Sequence, residues 1–344
     1  MRLERITLEN FRSYAKQTFN LGNLTLLVAP NGSGKTNLLE AIYLLATGES
    51  ERAGVVEEMI RWGSAIGSVS GIVEDNDERV ELTVVLTPGS YMGKVTTKKR
   101  YLVDGVPRAK AKFVGKLVAT LFRPEDMRLI EGSPSRRRRF LDEALSMAHP
   151  EYGRALTVYE ASLRRRNKVL DAIREGTASR AQLSYWDQSV IKNGNILSDY
   201  RREFLEYLCR VKTSFGEYAL EYDSSAISPA RLAQYAEAEV AMGYTLVGPH
   251  KDDFRIKNES IDLMVYGSRG EQRLGVLFLK IGAMQYVEEK LGIRSILLLD
   301  DIFSELDETH RGEIMKMTEN RQTIITSAEN DVEAIVKSAD IIRL

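Results

Sequence analysis

Residues 29–36 read Ala-Pro-Asn-Gly-Ser-Gly-Lys-Thr, a phosphate-binding loop in all but its first position. The pattern asks for Gly, four free residues, Gly-Lys, then Ser or Thr. Gly34-Lys35-Thr36 is intact, and Ala29 stands where the leading Gly belongs. In such a loop successive backbone N–H groups curl round an anion, and the helix that follows adds the positive end of its dipole. Ala29, Pro30, Asn31, Gly32, Ser33, Gly34, Lys35 and Thr36 are therefore the candidate ATP-binding residues. Lys35 is expected to reach the β- and γ-phosphates, and the Thr36 hydroxyl to ligate Mg²⁺. Gly32 and Gly34 allow backbone angles that a side chain forbids. Ala29 is tolerable only if it sits at negative φ. The blander reading is a glycine-rich turn that binds nothing.

A second stretch supplies acids. Ile296-Leu297-Leu298-Leu299-Asp300-Asp301 is an apolar run ending in two carboxylates. Such a run suits a central parallel strand, and ligands sit at the carboxyl ends of such strands. Asp300 is the expected Mg²⁺ ligand, directly or through water, and Asp301 the group that orients or deprotonates an attacking water. Standing alone, the pair reads as a strand that ends in solvated acids. Ser268-Arg269-Gly270-Glu271-Gln272 then opens a helix, a second start at which free N–H groups can hold an anion.

The loop needs a strand before it and a helix after it. Leu24–Val28 reads as a buried strand, and Asn37–Leu45 is apolar at helical spacing. Residues 2–9 look like an earlier strand. Residues 66–74, 79–87 and 94–103 alternate and are rich in Val, Thr and Ile, an antiparallel meander broken by turn residues. From 107 to 241 the pattern is helical, at 136–147, 152–175, 180–222 and 229–241. Strands are expected again at 244–247, 254–257, 261–265, 295–300 and 322–326, with helices at 271–291 and 307–319. The reading is an α/β head made of 1–106 and 242–344, a mixed sheet with an antiparallel meander, interrupted by a mostly helical lobe at 107–241. That insertion is too short for long coiled-coil arms.

The chain has 344 residues, 43% hydrophobic and 28% charged, the balance of a soluble globular protein. Its apolar runs are too short to cross a bilayer, and its first residues alternate with no signal-peptide core. One cysteine, Cys209, excludes an internal disulfide, and three scattered histidines argue against zinc. A cytoplasmic location is expected. The net charge of −1 does not advertise nucleic acid, but it is unevenly spread. Residues 92–139 hold 14 Lys/Arg against 4 Asp/Glu, a net of +10; residues 295–344 hold 5 against 11, a net of −6. A basic face for a phosphate backbone and mutual pairing across the fold are both open.

The order of these segments resembles the P-loop ABC-type ATPase heads: phosphate loop, long insertion, Ser-x-Gly, double-acid strand, then Ser304-Glu305-Leu306-Asp307. In that class the Ser-x-Gly segment of one subunit caps ATP held by another. The resemblance therefore implies catalytic roles for Lys35, Asp300, Asp301 and Ser268, with Ser268, Gly270 and Asp307 at a dimer interface. A residue after the last strand often senses the γ-phosphate in these heads. Only Thr326 or Ser327 is available here.

Further blocks narrow the likeness. They are Leu8–Tyr14, Phe122-Arg123-Pro124-Glu125-Asp126, Gly132-Ser133-Pro134 with its arginine run, Phe140-Leu141-Asp142, and Gly248-Pro249-His250-Lys251-Asp252-Asp253. With them the chain resembles the RecF family of recombination-mediator ATPases, of the ABC/SMC-like class, over nearly its whole length. The resemblance implies a compact head, ATP-dependent homodimerisation on DNA at single-strand gaps and gapped duplex junctions, and slow, DNA-dependent ATP hydrolysis that works as a switch. It also implies cooperation with RecR- and RecO-type partners in loading recombinase, with roles in DNA replication, repair and SOS induction. Two alternatives are a DNA-binding scaffold with a decayed nucleotide site, suggested by Ala29, and the ATPase subunit of a transporter. The missing Leu-Ser-Gly-Gly-Gln run and the large insertion oppose the latter.

The remaining charged residues are less specific. Arg136, Arg137, Arg138 and Arg139 begin a helix after Ser133-Pro134, where four cations oppose the dipole, so carboxylates or a polyanion such as DNA must compensate. Arg164-Arg165-Arg166 reads as a solvated helix face. Arg12, in a loop after the first strand, is a candidate for contact with nucleotide phosphates. His250 reads as structural. The aromatics are spread like core residues and form no base-stacking platform.

Overall fold

The structure is a computed structural model. It describes all residues except Asn76, Asp77, Met92, Leu306, Asp307 and 329–338, and of residues 91, 304, 305, 308–310 and 313 it describes the backbone only. In chain order it begins with β1 (Arg2–Phe11), β2 (Tyr14–Asn20), β3 (Leu24–Val28), α1 (Lys35–Thr47), β4 (Gly67–Asp75), β5 (Glu78–Leu86), β6 (Ser90–Tyr91), β7 (Lys94–Val95), β8 (Lys99–Val103), β9 (Val106–Arg108), α2 (Lys110–Phe113) and β10 (Ala119–Phe122). There follow α3 (Arg128–Glu131), α4 (Pro134–Ala148), α5 (Pro150–Arg174), α6 (Ser184–Leu208), β11 (Tyr218–Asp223), α7 (Pro229–Met242), β12 (Asp253–Asn258), β13 (Ile261–Asp262) and α8 (Arg269–Leu291). The chain closes with β14 (Ile296–Asp300), α9 (Glu308–Thr318), β15 (Thr323–Ser327) and β16 (Asp340–Arg343).

Two compact units result: Met1–Asp126 with Leu291–Leu344, and Met127–Lys290. The periodicity-based bounds at 106/107 and 241/242 fall elsewhere for a reason of pairing. β10, inside the expected helical lobe, lies parallel to β14, whereas β12, expected in the head, pairs antiparallel with β11.

The first unit holds two large sheets and the short β6-β7 ribbon. One is antiparallel, in the order β2-β1-β4-β5-β8-β9; the other is parallel, in the order β10-β14-β15-β3-β16. Both give side chains to one core. Leu3, Ile6, Leu8, Val69, Leu82 and Val84 come from the antiparallel sheet, and Leu121, Leu298 and Ile324 from the parallel one. The helix α1 supplies Leu38, Leu39, Ile42 and Leu45 to the same core, and nearly all its residues are buried. That explains its weak amphipathicity in sequence: a helix covered on all sides needs apolar residues all round.

The second unit is built on α4 to α8 with the three-stranded sheet β11-β12-β13. Its helix starts follow local chemistry. Pro134, Pro150 and Pro229 each stand at the first helical position, where the missing N–H costs nothing, and the Ser228 hydroxyl accepts from the Arg231 N–H at 3.2 Å.

Several expected elements are corrected. The helix read over 180–222 ends at Leu208; Tyr218–Asp223 is a strand whose residues alternate in burial and pair with β12. Residues 244–247 form no strand, and 94–103 divides into β7 and β8. β2, β10 and β16 were not anticipated as elements. None of the described helices is long and apolar enough to cross a membrane.

Candidate functional site

The carboxyl ends of β3 and β14 bring the two sequence motifs together. β15 lies between these strands in the parallel sheet, so the loop after Val28 and the acid at Asp300 open at the same edge. The Thr36 hydroxyl donates to Asp300 Oδ1 at 3.1 Å, and the Thr326 hydroxyl donates to the same oxygen at 2.7 Å. Asp300 is 6% exposed. Burial raises its pKa, while the bonds from Thr326 and Thr36 act in the opposite direction and favour the anion. Asp301 adopts φ 51°, in the left-handed region, and its N–H donates to both the carbonyl (3.2 Å) and the hydroxyl (3.1 Å) of Thr326. Thr326 thus holds both acids.

The loop itself is built for close approach. Gly32 and Gly34 take φ 83° and 108°. A Cβ on Gly34 would lie 2.9 Å from the Tyr14 hydroxyl, which donates to the Gly34 carbonyl at 3.0 Å. Ala29 is absent from the residues with positive φ, so its methyl group strains nothing. The Lys35 ammonium is buried and turned back onto the loop, donating to the carbonyls of Ala29 and Pro30. The Gly34 carbonyl takes the N–H groups of Asn37 and Leu38, while those of Gly34, Lys35 and Thr36 come too early in α1 for an intrahelical acceptor. The Ser33 hydroxyl is buried without a protein partner. A curled loop with an orphaned hydroxyl, a buried ammonium held by two neutral carbonyls and a hydroxyl–carboxylate pair beside it fits a triphosphate with Mg²⁺.

Other predicted residues are placed elsewhere. Arg12 grips Glu40 through Nε (3.0 Å) and Nη2 (2.6 Å) and donates to the Glu58 carbonyl, so its guanidinium is engaged with an acid of α1 and not with the phosphate loop. Glu40, 4% exposed, also accepts from Ser50 and Arg52. Sequence reasoning missed Glu40, Glu51 and Arg123, which line a narrow pocket with Thr36 and Asp300. Glu51 pairs with Arg123, which also meets Asp126 at 3.4 Å. The signal for Glu40 was available: an acid set among Leu38, Leu39, Ala41 and Ile42 must find a buried partner.

The second unit carries the other candidates. Ser268 caps α8: its carbonyl accepts the first helical bond from the Gln272 N–H at 2.9 Å. Its own N–H and hydroxyl both donate to Glu271 Oε2, at 2.8 and 2.7 Å, and Gly270 is exposed. Asp307 lies outside the described residues.

The arginine run is largely structural. Arg137 is 3% exposed, donates to both Asp253 carboxylate oxygens at 2.6 and 2.9 Å, and donates to the carbonyls of Leu129, Ile130 and Gly132. Arg137 is therefore removed from the candidate DNA contacts: no phosphate backbone can reach it. Arg138 donates to the Asp252 carbonyl, Arg139 pairs with Glu143, and Arg136 is exposed. The expected solvated face at Arg164–Arg166 is likewise corrected for Arg166, which is buried between Asp187 and Glu239.

His250 has a structural setting, as its surroundings in sequence suggested. Its Nδ1 meets the Tyr159 hydroxyl at 2.8 Å and its Nε2 donates to the Thr245 carbonyl at 3.1 Å, which puts a proton on Nε2. Burial pushes its pKa down from the usual 6.5 to about 4, with Lys251, Arg138 and Arg166 acting in the same direction. The unfolded chain then binds the extra proton first, so stability present above pH 6.5 is lost as the pH falls towards 4. Between pH 7 and 5 the loss should be about 2 kcal/mol. Urea unfolding at the two pH values checks it; His250→Gln should shrink the difference, and an unchanged difference would remove His250 as its source.

The family model described as RecF/RecN/SMC N terminal domain matches residues 2–342. The DNA replication and repair protein RecF of Moorella thermoacetica is 34% identical over 340 residues, covering 95% of this chain and 90% of the relative. The solved structure of the recombination mediator protein RecF-ATP in the RecFOR pathway superposes with a TM-score of 0.88 at 28% identity, covering 99% of this chain and 95% of that one. The SmcHead bound to the C-winged helix domain of ScpA matches with a TM-score of 0.51 at 15% identity, covering 99% and 93%, a likeness of fold alone. The fold is the α/β ABC-type ATPase head expected from the order of the motifs. With a matching model spanning 2–342 and relatives aligned along almost all of their length, the chain belongs to the RecF family.

Proposed function

We propose that this protein binds ATP with Mg²⁺ on residues 29–36 and Asp300, and that two copies sharing the nucleotide close on DNA as a replication and repair switch. The observation that carries the reading is the 3.1 Å contact between the Thr36 hydroxyl and buried Asp300, two groups 264 residues apart. Bound Mg²⁺ supplies charge neutralisation on the β- and γ-phosphates. Lys35 leaves the carbonyls of Ala29 and Pro30 for the phosphates, the loop N–H groups orient them, and Thr36 and Asp300 hold the cation. Asp301 faces the attacking water, and hydrolysis is slow enough to serve as a timer. The related structure of RecF-ATP in the RecFOR pathway supports ATP as the nucleotide and RecR- and RecO-type proteins as partners.

Sedimentation of the protein with and without an ATP analogue, and with and without gapped duplex, tests the proposal: mass should double only with nucleotide. In that assay Ser268→Ala should leave nucleotide affinity of the single chain intact while weakening association by about tenfold or more, because a hydrogen bond to a charged group is lost. Normal association of the variant would withdraw the cross-subunit role of Ser268.

A further inference from the structure

We propose that Glu271 is a built-in competitor for the anion received at the start of α8: its carboxylate must leave Ser268 before a second copy's triphosphate binds there, and this exchange sets how readily two copies join. The inference rests on the shared-nucleotide reading above.

The helix start is held in place and open outward. The chain enters it through a tight turn on Asp262, whose carbonyl accepts from the N–H groups of Val265 and Tyr266 and whose Oδ1 accepts from Met264 N at 2.9 Å. Gly267 is required there, since a Cβ would fall 2.7 Å from the Leu263 carbonyl oxygen. Gln272 Nε2 donates to that same carbonyl at 2.9 Å. In contrast, Ser268, Arg269 and Gly270 are exposed, and a Cβ on Gly270 would meet nothing within 4 Å. Val265 and Tyr266, 64% and 77% exposed, border the same start with apolar surface that a second copy would cover.

Onto this start the chain folds its own anion. Glu271 Oε2 takes both donors of Ser268, and the Glu271 N–H lies 3.3 Å from the Ser268 hydroxyl, a reciprocal capping box. The hydrogen bonds from Ser268 hold the Glu271 carboxyl below the usual range, so it is an anion at neutral pH. A carboxylate in the first turn complements the helix dipole just as an incoming phosphate does, so the two exclude each other by charge and by the shared Ser268 donors.

Glu271→Gln removes the charge and keeps the capping geometry, because Gln serves equally in a capping box. Each anion at a helix start is worth about two- to fivefold, and a pair of copies contains two such starts. Association of Glu271→Gln with a non-hydrolysable ATP analogue, followed by sedimentation, should therefore be about 4- to 25-fold tighter than that of the parent chain. Nucleotide affinity of the single chain and association without nucleotide should not change. Glu271→Ala, which loses charge and cap together, is the second variant, and melting temperatures establish that both are folded. Unchanged or weaker association in both variants, with the parent chain associating normally, overturns the competitor role and leaves Glu271 a simple cap. Absence of nucleotide-driven association in the parent chain overturns the shared-nucleotide reading instead.

Discussion

Replacing Lys35 by alanine should lower the affinity for Mg²⁺-ATP by about 100-fold, the loss of a charge-assisted contact to the β- and γ-phosphates. Lys35 is the only cation of the loop, and nothing else on residues 29–36 can replace its ammonium. Its present partners, the carbonyls of Ala29 and Pro30, are neutral and readily exchanged for a polyphosphate. Calorimetric titration with a non-hydrolysable analogue measures the effect. An affinity within about threefold of the parent would mean that the loop does not hold the phosphates this way, since that is below the value of one charged hydrogen bond.

The second large effect concerns stability. Arg201, 2% exposed, donates to Asp252 Oδ2 at 2.8 Å, to Asp142 Oδ1 at 2.7 Å, to the Pro249 carbonyl and to the Tyr152 hydroxyl. Asp252 is fully buried and also accepts from the Tyr222 hydroxyl and the Ser225 N–H. Asp252→Ala strips one acid from this group and leaves a buried guanidinium short of charge, at an expected cost of about 3–5 kcal/mol. The double replacement Arg201→Met with Asp252→Leu should cost less than Asp252→Ala alone, because the buried pair is exchanged for apolar groups and the acid it leaves behind, Asp142, is 22% exposed and keeps the Tyr152 hydroxyl. Urea unfolding of the three proteins gives the comparison; a double variant less stable than Asp252→Ala would show that the pair itself contributes the stability.

This arrangement also explains the Gly248–Asp253 block. In sequence it is a specific but mute signature. In the fold Asp252 and Asp253 receive Arg201, Arg137 and Arg138 from two helices, so the acid pair and the arginine run are halves of one structure. Charge counting could see an excess of cations at 92–139 but not which of them were already spoken for, because partners such as Glu57 for Lys98 and Asp253 for Arg137 lie 41 to 116 residues away.

Local chemistry was legible and distant pairing was not. The phosphate loop, the double-acid strand and most helices of 136–241 follow from spacing, capping residues and periodicity. β11 was absorbed into a helix because its six residues give too little pattern to break the run before them, and its partner β12 begins only at Asp253. β10 and β16 sit at the two edges of the parallel sheet, four residues each, and are defined by the neighbours they add to. Glu271 is the reverse case: the Ser-x-x-Glu spacing of residues 268–271 spells a capping box, and the sequence reading took only the Ser-x-Gly part of it.

The seating of β3 has a bearing on biosynthesis. Its two neighbours in the sheet are β15 and β16, so the strand that launches the phosphate loop is hydrogen-bonded on both sides by residues 323–327 and 340–343. On a ribosome the first thirty-odd residues emerge long before those partners exist, and the helix after the loop carries apolar side chains on every face. β3 and α1 must therefore wait, without the strands that flank them in the sheet, until residues 323–343 have been made, a delay that invites chaperone capture.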